Sequence, residues 1–228
     1  MSKKEKKIKV KKRKLRIKRI LICLLSLILI ILTFYYTSKL PIKNIYIIGN
    51  NIVSDKEIIS LAGITNYPPF LTTSSSSIIT KVKKNVYIKD IEVKKKLNNK
   101  IYIYVTEKKI LCTYNNNLMM EDGTEISNTK KLTSYPMLSS DIADIRERFI
   151  TEFNLVNNEI LLKISEIEYT PNDVDKERFS LKMNDGNLVY ITLNKIEKIN
   201  KYNSIYSSLE GKKGIIYLDS GDYVEVKE

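Results

Sequence analysis

Residues 43–59 read KNIYIIGNNIVSDKEII. Ile45 and Ile47 alternate with polar neighbours, the pattern of a strand with one buried face. Gly49-Asn50-Asn51 supplies residues that tolerate positive φ, so the chain turns there. Ser54 is placed to cap a helix, and Glu57 three residues later completes a capping box. Ile58, Ile59 and Leu61 give that helix an apolar face, and Gly63 stops it. The result is a strand–turn–helix unit that carries no catalytic side chain.

The reading extends outward in both directions. Residues 65–71 (TNYPPFL) form a loop, because Pro68-Pro69 excludes helix. Ser74 or Ser75 caps a second helix running through Lys84, with Ile78, Ile79 and Val82 inward. Residues 87–94 (YIKDIEVK) form a strand burying Tyr87 or Ile88 with Ile91 and Val93. Residues 100–107 (KIYIYVTE) form the next, burying Ile101, Ile103 and Val105 or else the tyrosine face. Leu97-Asn98-Asn99 is the hairpin turn between them. The order is β-α-α-β-β.

Before this unit, residues 20–38 (ILICLLSLILIILTFYYTS) hold no charge. As a helix they span roughly 28 Å, close to a bilayer's hydrocarbon core. Phe34, Tyr35 and Tyr36 sit at one end, where aromatic rings settle at headgroup level. An uncleaved signal anchor fits better than a cleaved signal peptide, whose apolar core is shorter and ends in small residues. The formal net charge is +13. Between Lys3 and Arg19 stand twelve Lys/Arg and one acid, Glu5, so that tail carries nearly all the excess. The basic flank predicts a cytoplasmic N-terminus, with Lys14, Arg16, Lys18 and Arg19 setting topology and touching anionic lipid. No aromatic residue interleaves the basic ones, which speaks against nucleic acid as a partner.

Beyond residue 109, short strand signals surround the Asn115-Asn116-Asn117 and Asp122-Gly123 turns. Residues 141–162 place Ile142, Ile145, Phe149, Phe153 and Val156 at helical spacing. Residues 164–169 (ISEIEY) alternate, and residues 179–183 and 188–193 flank the Asn184-Asp185-Gly186-Asn187 turn. Ile196, Ile199, Tyr202, Ile205 and Leu209 mark a further helix, closed by Gly211. Residues 215–218 and 222–226 are the last strands. The predicted class is α+β. It comprises a basic tail (1–19), a transmembrane helix (20–38), a β-α-α-β-β domain (40–108) and a mostly antiparallel β domain with two or three helices (109–228).

Composition excludes several chemistries. The chain has no His, which removes Ser-His-Asp and Cys-His catalysis and His-ligated metals. It has no P-loop, G-x-S-x-G or G-x-G-x-x-G motif. Cys23 lies in the apolar segment and Cys112 far beyond it, so the two cannot form a disulfide. Cys112, on a short strand, reads as a small buried hydrophobe. Glu121, Asp122 and Glu125 lack Ca²⁺-loop spacing and read as a solvated turn. Tyr102 and Tyr104 share a strand face, which suits half-buried sheet residues better than a glycan platform. No cofactor, metal or small-molecule substrate is expected.

Taken in order, these features resemble the bacterial cell division family FtsQ/DivIB, over nearly the whole chain. The opening of that family's POTRA domain is similar to IKNIYIIGNNIVSDKEIISLAGI at residues 42–64. Its V-x-E-R strand end resembles Val105-Thr106-Glu107-Lys108, with Lys in place of Arg. Its D-x-x-G turn resembles Met120-Glu121-Asp122-Gly123-Thr124, and its L-P-x-L element resembles Tyr135-Pro136-Met137-Leu138. The prolines common around its second POTRA strand are absent from Val86-Tyr87-Ile88 and Leu97-Asn98-Asn99. Residues 195–228 resemble its last helix and strands.

The resemblance implies a non-enzymatic division scaffold at the septum, with its main domain outside the cytoplasm. It also implies two bitopic partners of the FtsL and FtsB/DivIC type, and a partner-binding surface in the C-terminal region. A terminal strand presents unpaired backbone groups to another chain. Tyr217, Leu218, Ser220, Tyr223 and Val224 are therefore the candidate partner-binding residues. The rival classes are a membrane-anchored wall enzyme using Glu166 and Glu168, on one strand face, with Asp173, and another POTRA-type docking or translocation protein.

Overall fold

The computed structural model describes residues 17–226. Helix α1, Ile17–Ser38, is long and apolar enough to cross a membrane, and none of its residues is buried. It starts three residues before the uncharged run, so Lys18 and Arg19 lie in its first turn. A charge ends an apolar run but does not end a helix, because Lys and Arg are good helix formers. Lys14 and Arg16 lie outside the described residues.

The chain divides into two units, residues 1–85 with 90–105, and residues 86–89 with 106–228. In the first, strands β1 (Asn44–Ile48), β2 (Ile88–Lys96) and β3 (Lys100–Glu107) form a sheet in the order β1-β3-β2. β1 runs parallel to β3, with Ile45 opposite Ile101 and Ile47 opposite Ile103. Helices α2 (Asp55–Ala62) and α3 (Ser75–Val82) cross over between β1 and β2. Ile58, Ile78, Val82, Ile101 and Ile103 are almost fully buried. The other sheet face carries a stack of tyrosines, with Tyr46 and Tyr102 rings 4.7 Å apart and Tyr102 and Tyr104 rings 6.5 Å apart.

The turn after β1 differs from its reading in one respect. Gly49 alone of the three turn residues takes positive φ (94°). Asn50 serves through its side chain, whose amide donates to the Val53 carbonyl and the Asp55 carboxylate, each at 2.8 Å. Ser54 accepts from the Glu57 N–H, and Gly63 closes α2 in the left-handed region. α3 stops at Val82, two residues short of the expected end. The β2–β3 turn takes positive φ at both Asn98 (61°) and Asn99 (55°), the geometry of a tight hairpin that Asn tolerates.

The second unit is a nine-stranded mixed sheet. Its strands are β4 (Ile110–Tyr114), β5 (Asn117–Met120), β6 (Glu125–Ser127), β7 (Met137–Leu138), β8 (Ile164–Tyr169), β9 (Arg178–Met183), β10 (Leu188–Thr192), β11 (Gly214–Tyr217) and β12 (Tyr223–Val226). The spatial order is β12-β11-β10-β9-β8-β7-β4-β5-β6, and most neighbours are antiparallel. The parallel pairs are β4–β7, β7–β8 and β10–β11. Helices cover the inner face, and Phe149, Phe153 and Phe179 meet at its centre.

Both helices expected here are subdivided. Residues 141–162 give a 3₁₀ turn (Ala143–Ile145), α4 (Arg146–Phe153) and α5 (Asn158–Leu161). Asn157 is extended (ψ 140°), and its N–H is taken by the Asn200 side chain at 2.7 Å instead of by the helix. The Lys109 ammonium accounts for the carbonyls left at the end of α4. It donates to Phe153, Asn154 and Val156, as cations do at helix C-termini. The second helix begins as a nine-residue 3₁₀ segment, Leu193–Lys201, and becomes α6 at Tyr202–Ser208. Leu193, Ile196, Ile199 and Tyr202 recur every third residue and are all buried. That period matches three residues per turn.

Candidate functional site: the free sheet edge

β12 heads the order of the larger sheet, so among the described residues it pairs on one side only, with β11. All four of its residues are exposed. Tyr217 stands opposite Tyr223, and Ile216 opposite Val224. Because side chains alternate across a strand, Tyr217 and Tyr223 share the outer face, while Val224 lies on the inner, helix-covered side. The outer face holds a continuous aromatic row. Tyr190 and Tyr217 rings are 5.5 Å apart, and Tyr217 and Tyr223 rings 4.6 Å apart. The Arg178 guanidinium lies 3.9 Å above the Tyr190 ring.

The turn joining β11 to β12 is tied down by charge. Arg178 Nε donates to Asp219 at 2.8 Å, between side chains that are mostly buried. Burial is the strongest influence on the Asp219 carboxylate and works against its charge, but the hydrogen bonds from Arg178 and Ser220 and the Arg178 charge together outweigh it, and its pKa falls below the usual value. Lys195 holds the Asp219 carbonyl, and Lys198 pairs with Asp222 at 2.6 Å. Ser220, at the tip, donates to Asp219 at 3.0 Å. Gly214 lets β12 approach, since a Cβ there would lie 2.7 Å from the Glu225 carbonyl oxygen. Behind the edge, a groove of about 400 Å3 runs between α6 and β12, lined by Ile205, Ile216, Leu218 and Val224 among others.

Of the sequence-predicted residues, Tyr217, Ser220, Tyr223 and Val224 gather at this edge. Leu218 belongs to the core, with only 5% of its surface exposed, and forms the groove floor instead of a strand-edge contact. Leu218 continues the alternation of Ile216 and Tyr217 and so points inward, and its N–H bonds to the Tyr190 carbonyl at 2.8 Å. Tyr190 and Arg178 were missed. The alternation of LVYIT puts Tyr190 on the outer face, but the parallel β10–β11 pairing that sets it beside Tyr217 joins strands separated by a crossover.

Elsewhere, carboxylates are matched by cations. Glu121 pairs with Lys89 at 2.9 Å, Asp122 with Lys108 at 2.6 Å and Glu125 with Arg146 at 2.5 Å. No group of metal-ligand type assembles among the described residues. The Lys108 hydrogen bond, helped by Thr124, lowers the Asp122 pKa from 3.8 to about 2. A depressed carboxylate contributes stability that is present above the unfolded pKa and lost as pH falls through the folded one. The stability difference between the native chain and Asp122→Asn should therefore be small, because the carboxylate is 41% exposed. It should be constant above about pH 4 and fade toward pH 2 in acid titrations of unfolding. A difference that persists at the acid end would show another origin.

Glu166 pairs with Lys182 at 2.8 Å, which lowers its pKa. A general acid needs the opposite shift. Cys112 is fully buried, and burial pushes its thiol up to about 12.

Comparison with known proteins matches both folded units. Residues 40–108 match the FtsQ-type POTRA domain, and residues 112–223 match the C-terminal domain of cell division protein FtsQ/DivIB. The chain is 29% identical to cell division protein DivIB of Bacillus subtilis, over 96% of its own length and 88% of the relative's. It is 28% identical to the DivIB of Bacillus cytotoxicus, over 89% and 83% of the two lengths. It is also 28% identical to that of Listeria monocytogenes, over 87% and 77%. With both domains matched in order and the relatives aligned over most of their length, the chain belongs to the FtsQ/DivIB family of cell division proteins.

Proposed function

We propose that this protein is a non-enzymatic scaffold of the division machinery, one that captures a strand of a bitopic partner along β12. The observation that carries the reading is an edge strand exposed at every position and stapled at its turn. Backbone pairing supplies affinity in such docking, and alternate side chains supply specificity. The Tyr190–Tyr217–Tyr223 row faces one side of an added strand, and Val224 with the α6 groove faces the other. The partners are of the FtsL and FtsB/DivIC type. The basic flank of α1 supports a cytoplasmic N-terminus in contact with anionic lipid, and with it both folded units on the extracytoplasmic side. Anchoring in two dimensions raises the effective concentration at which such contacts form. The site of action is the septum.

Val224→Glu sets a charge on the docking border while sparing the core. It should weaken capture of the partner by about tenfold or more, read by pull-down of membrane-reconstituted proteins. Unaltered circular dichroism controls for folding. Capture at native strength would place the docking surface elsewhere. In growing cells a fluorescent fusion should concentrate at midcell, and a uniform membrane signal would contradict the septal reading.

A further inference from the structure

The first unit is stitched to the end of α1 without a free linker. The Lys39 and Leu40 N–H groups still bond to the Tyr36 and Thr37 carbonyls. Then the fold takes hold at once. The Phe70 N–H donates to the Leu40 carbonyl at 2.8 Å, the Ile42 N–H to Pro68 at 3.0 Å, and the Lys43 N–H to Asn99 at 2.9 Å. Asn99 donates back to the Pro41 carbonyl at 3.0 Å. Lys95 lies 4.3 Å over the Phe70 ring and donates to the carbonyls of Phe70 and Thr73.

These ties bring three segments around the last turn of the helix. A groove of about 540 Å3 is lined by Thr37, Leu40, Phe70, Leu71, Leu97 and Asn98, with neighbouring hairpin residues. Its rim is apolar and open. Leu97, at the β2–β3 hairpin tip, is 91% exposed, and Leu40 and Leu71 are each 49% exposed. A leucine standing alone at a hairpin tip has no packing reason to be there. The three segments, residues 39–43, 67–73 and 95–100, contain five lysines (Lys39, Lys43, Lys95, Lys96 and Lys100) and no acid.

We infer that this end of the first unit is a lipid-docking surface. Leu97, Leu71 and Leu40 enter the headgroup layer of the outer leaflet, and Lys43, Lys96 and Lys100 meet phosphate groups of anionic phospholipid. The inference rests on α1 being a membrane span. The helix then places Thr37 at the membrane boundary, and the hairpin tip shares a groove with Thr37. Apolar tips ringed by Lys are the usual composition of interfacial contact, burying side chains about 5–10 Å into the headgroup boundary. The consequence is orientation, since a unit held by both helix and rim cannot swivel freely on its anchor.

The chain has no Trp, so single tryptophans report position without background. The full chain carrying Leu97→Trp, Ile48→Trp or Leu27→Trp is reconstituted in phosphatidylcholine vesicles with and without phosphatidylglycerol. A headgroup-level or an acyl-chain-level quencher is included. Emission of Leu97→Trp should be roughly halved by the headgroup quencher in the anionic vesicles. Ile48→Trp, at the far end of β1, should be unaffected, and Leu27→Trp should respond to the acyl-chain quencher. Adding Lys43→Glu and Lys96→Glu to Leu97→Trp should remove most of its quenching, as should raised salt.

Quenching of Leu27→Trp without quenching of Leu97→Trp overturns the lipid contact and leaves the anchor standing. Failure of Leu27→Trp to respond overturns the anchor, and the inference with it. Equal quenching of Leu97→Trp and Ile48→Trp overturns the end-on orientation. Equal quenching with and without phosphatidylglycerol overturns the role of the lysines.

Discussion

Gly49→Val is expected to unfold the first unit while the second stays folded. Gly49 takes φ 94°, and a Cβ added there would sit 2.3 Å from the Val105 carbonyl oxygen. That oxygen belongs to the backbone of β3, whose residues Lys100–Tyr104, just before it, are paired with β1. The obstacle is therefore not a side chain that can swing aside. Either β1 parts from β3 or the turn is rebuilt. The backbone conformation alone costs a β-branched residue about 1–3 kcal/mol. With the steric conflict added, the total is about 3–5 kcal/mol, a large part of a small domain's stability. Amide hydrogen exchange on the full chain in detergent would read it. Protection in residues 44–48 and 100–107 should collapse, and protection in residues 179–192 should remain. Native protection in β1 and β3 would show that the turn absorbs a side chain.

Phe149→Ala is the matching prediction for the second unit. Phe149 is fully buried, its ring 4.1 Å from that of Phe153 and 5.6 Å from that of Phe179. Deleting it opens a cavity between α4 and the sheet that neighbouring rings cannot fill without leaving their own contacts. The cost expected for such a truncation is about 3–5 kcal/mol. For a unit of this size that lowers the unfolding midpoint by about 10–20 °C. Partner capture should be retained at low temperature, because β10 separates β9, which carries Phe179 beside the cavity, from the β11–β12 edge. A midpoint moved by only a degree or two would mean that the aromatic cluster is looser than its ring distances imply.

Legibility varied with how local the determining interaction is. The first unit could be read strand by strand, because its signals lie within a few residues of the feature they specify. Gly49 sets a turn, Ser54 a cap, and Asn98 and Asn99 a hairpin. The anchor was equally plain, since a run of apolar residues needs no partner to be recognised. The second unit was harder where distant residues decide. Residues 141–162 have a continuous helical period, yet Lys109 and Asn200 end the helix from outside it. Residues 193–209 were read with an α period, although the buried set Leu193, Ile196, Ile199 and Tyr202 already spelled a period of three. At the free edge, the alternation of IIYL gave Tyr217 its outward direction. The same alternation turns Leu218 inward, but it does not give the company of Tyr190 and Arg178, which depends on which strands become neighbours.

The state of the two sulfhydryl groups has a practical side. Cys112 is sealed in the core, where burial pushes its thiol up to about 12 and keeps it protonated at neutral pH. Cys23 is exposed on the apolar helix, and with that helix in a bilayer it is out of reach of water-soluble reagents. The native chain is thus nearly silent toward maleimides in aqueous medium. A single cysteine introduced at Ser220 or Val226 would be the one group available to label or crosslink, which allows whatever sits against the edge in living cells to be trapped covalently without first removing the natural thiols.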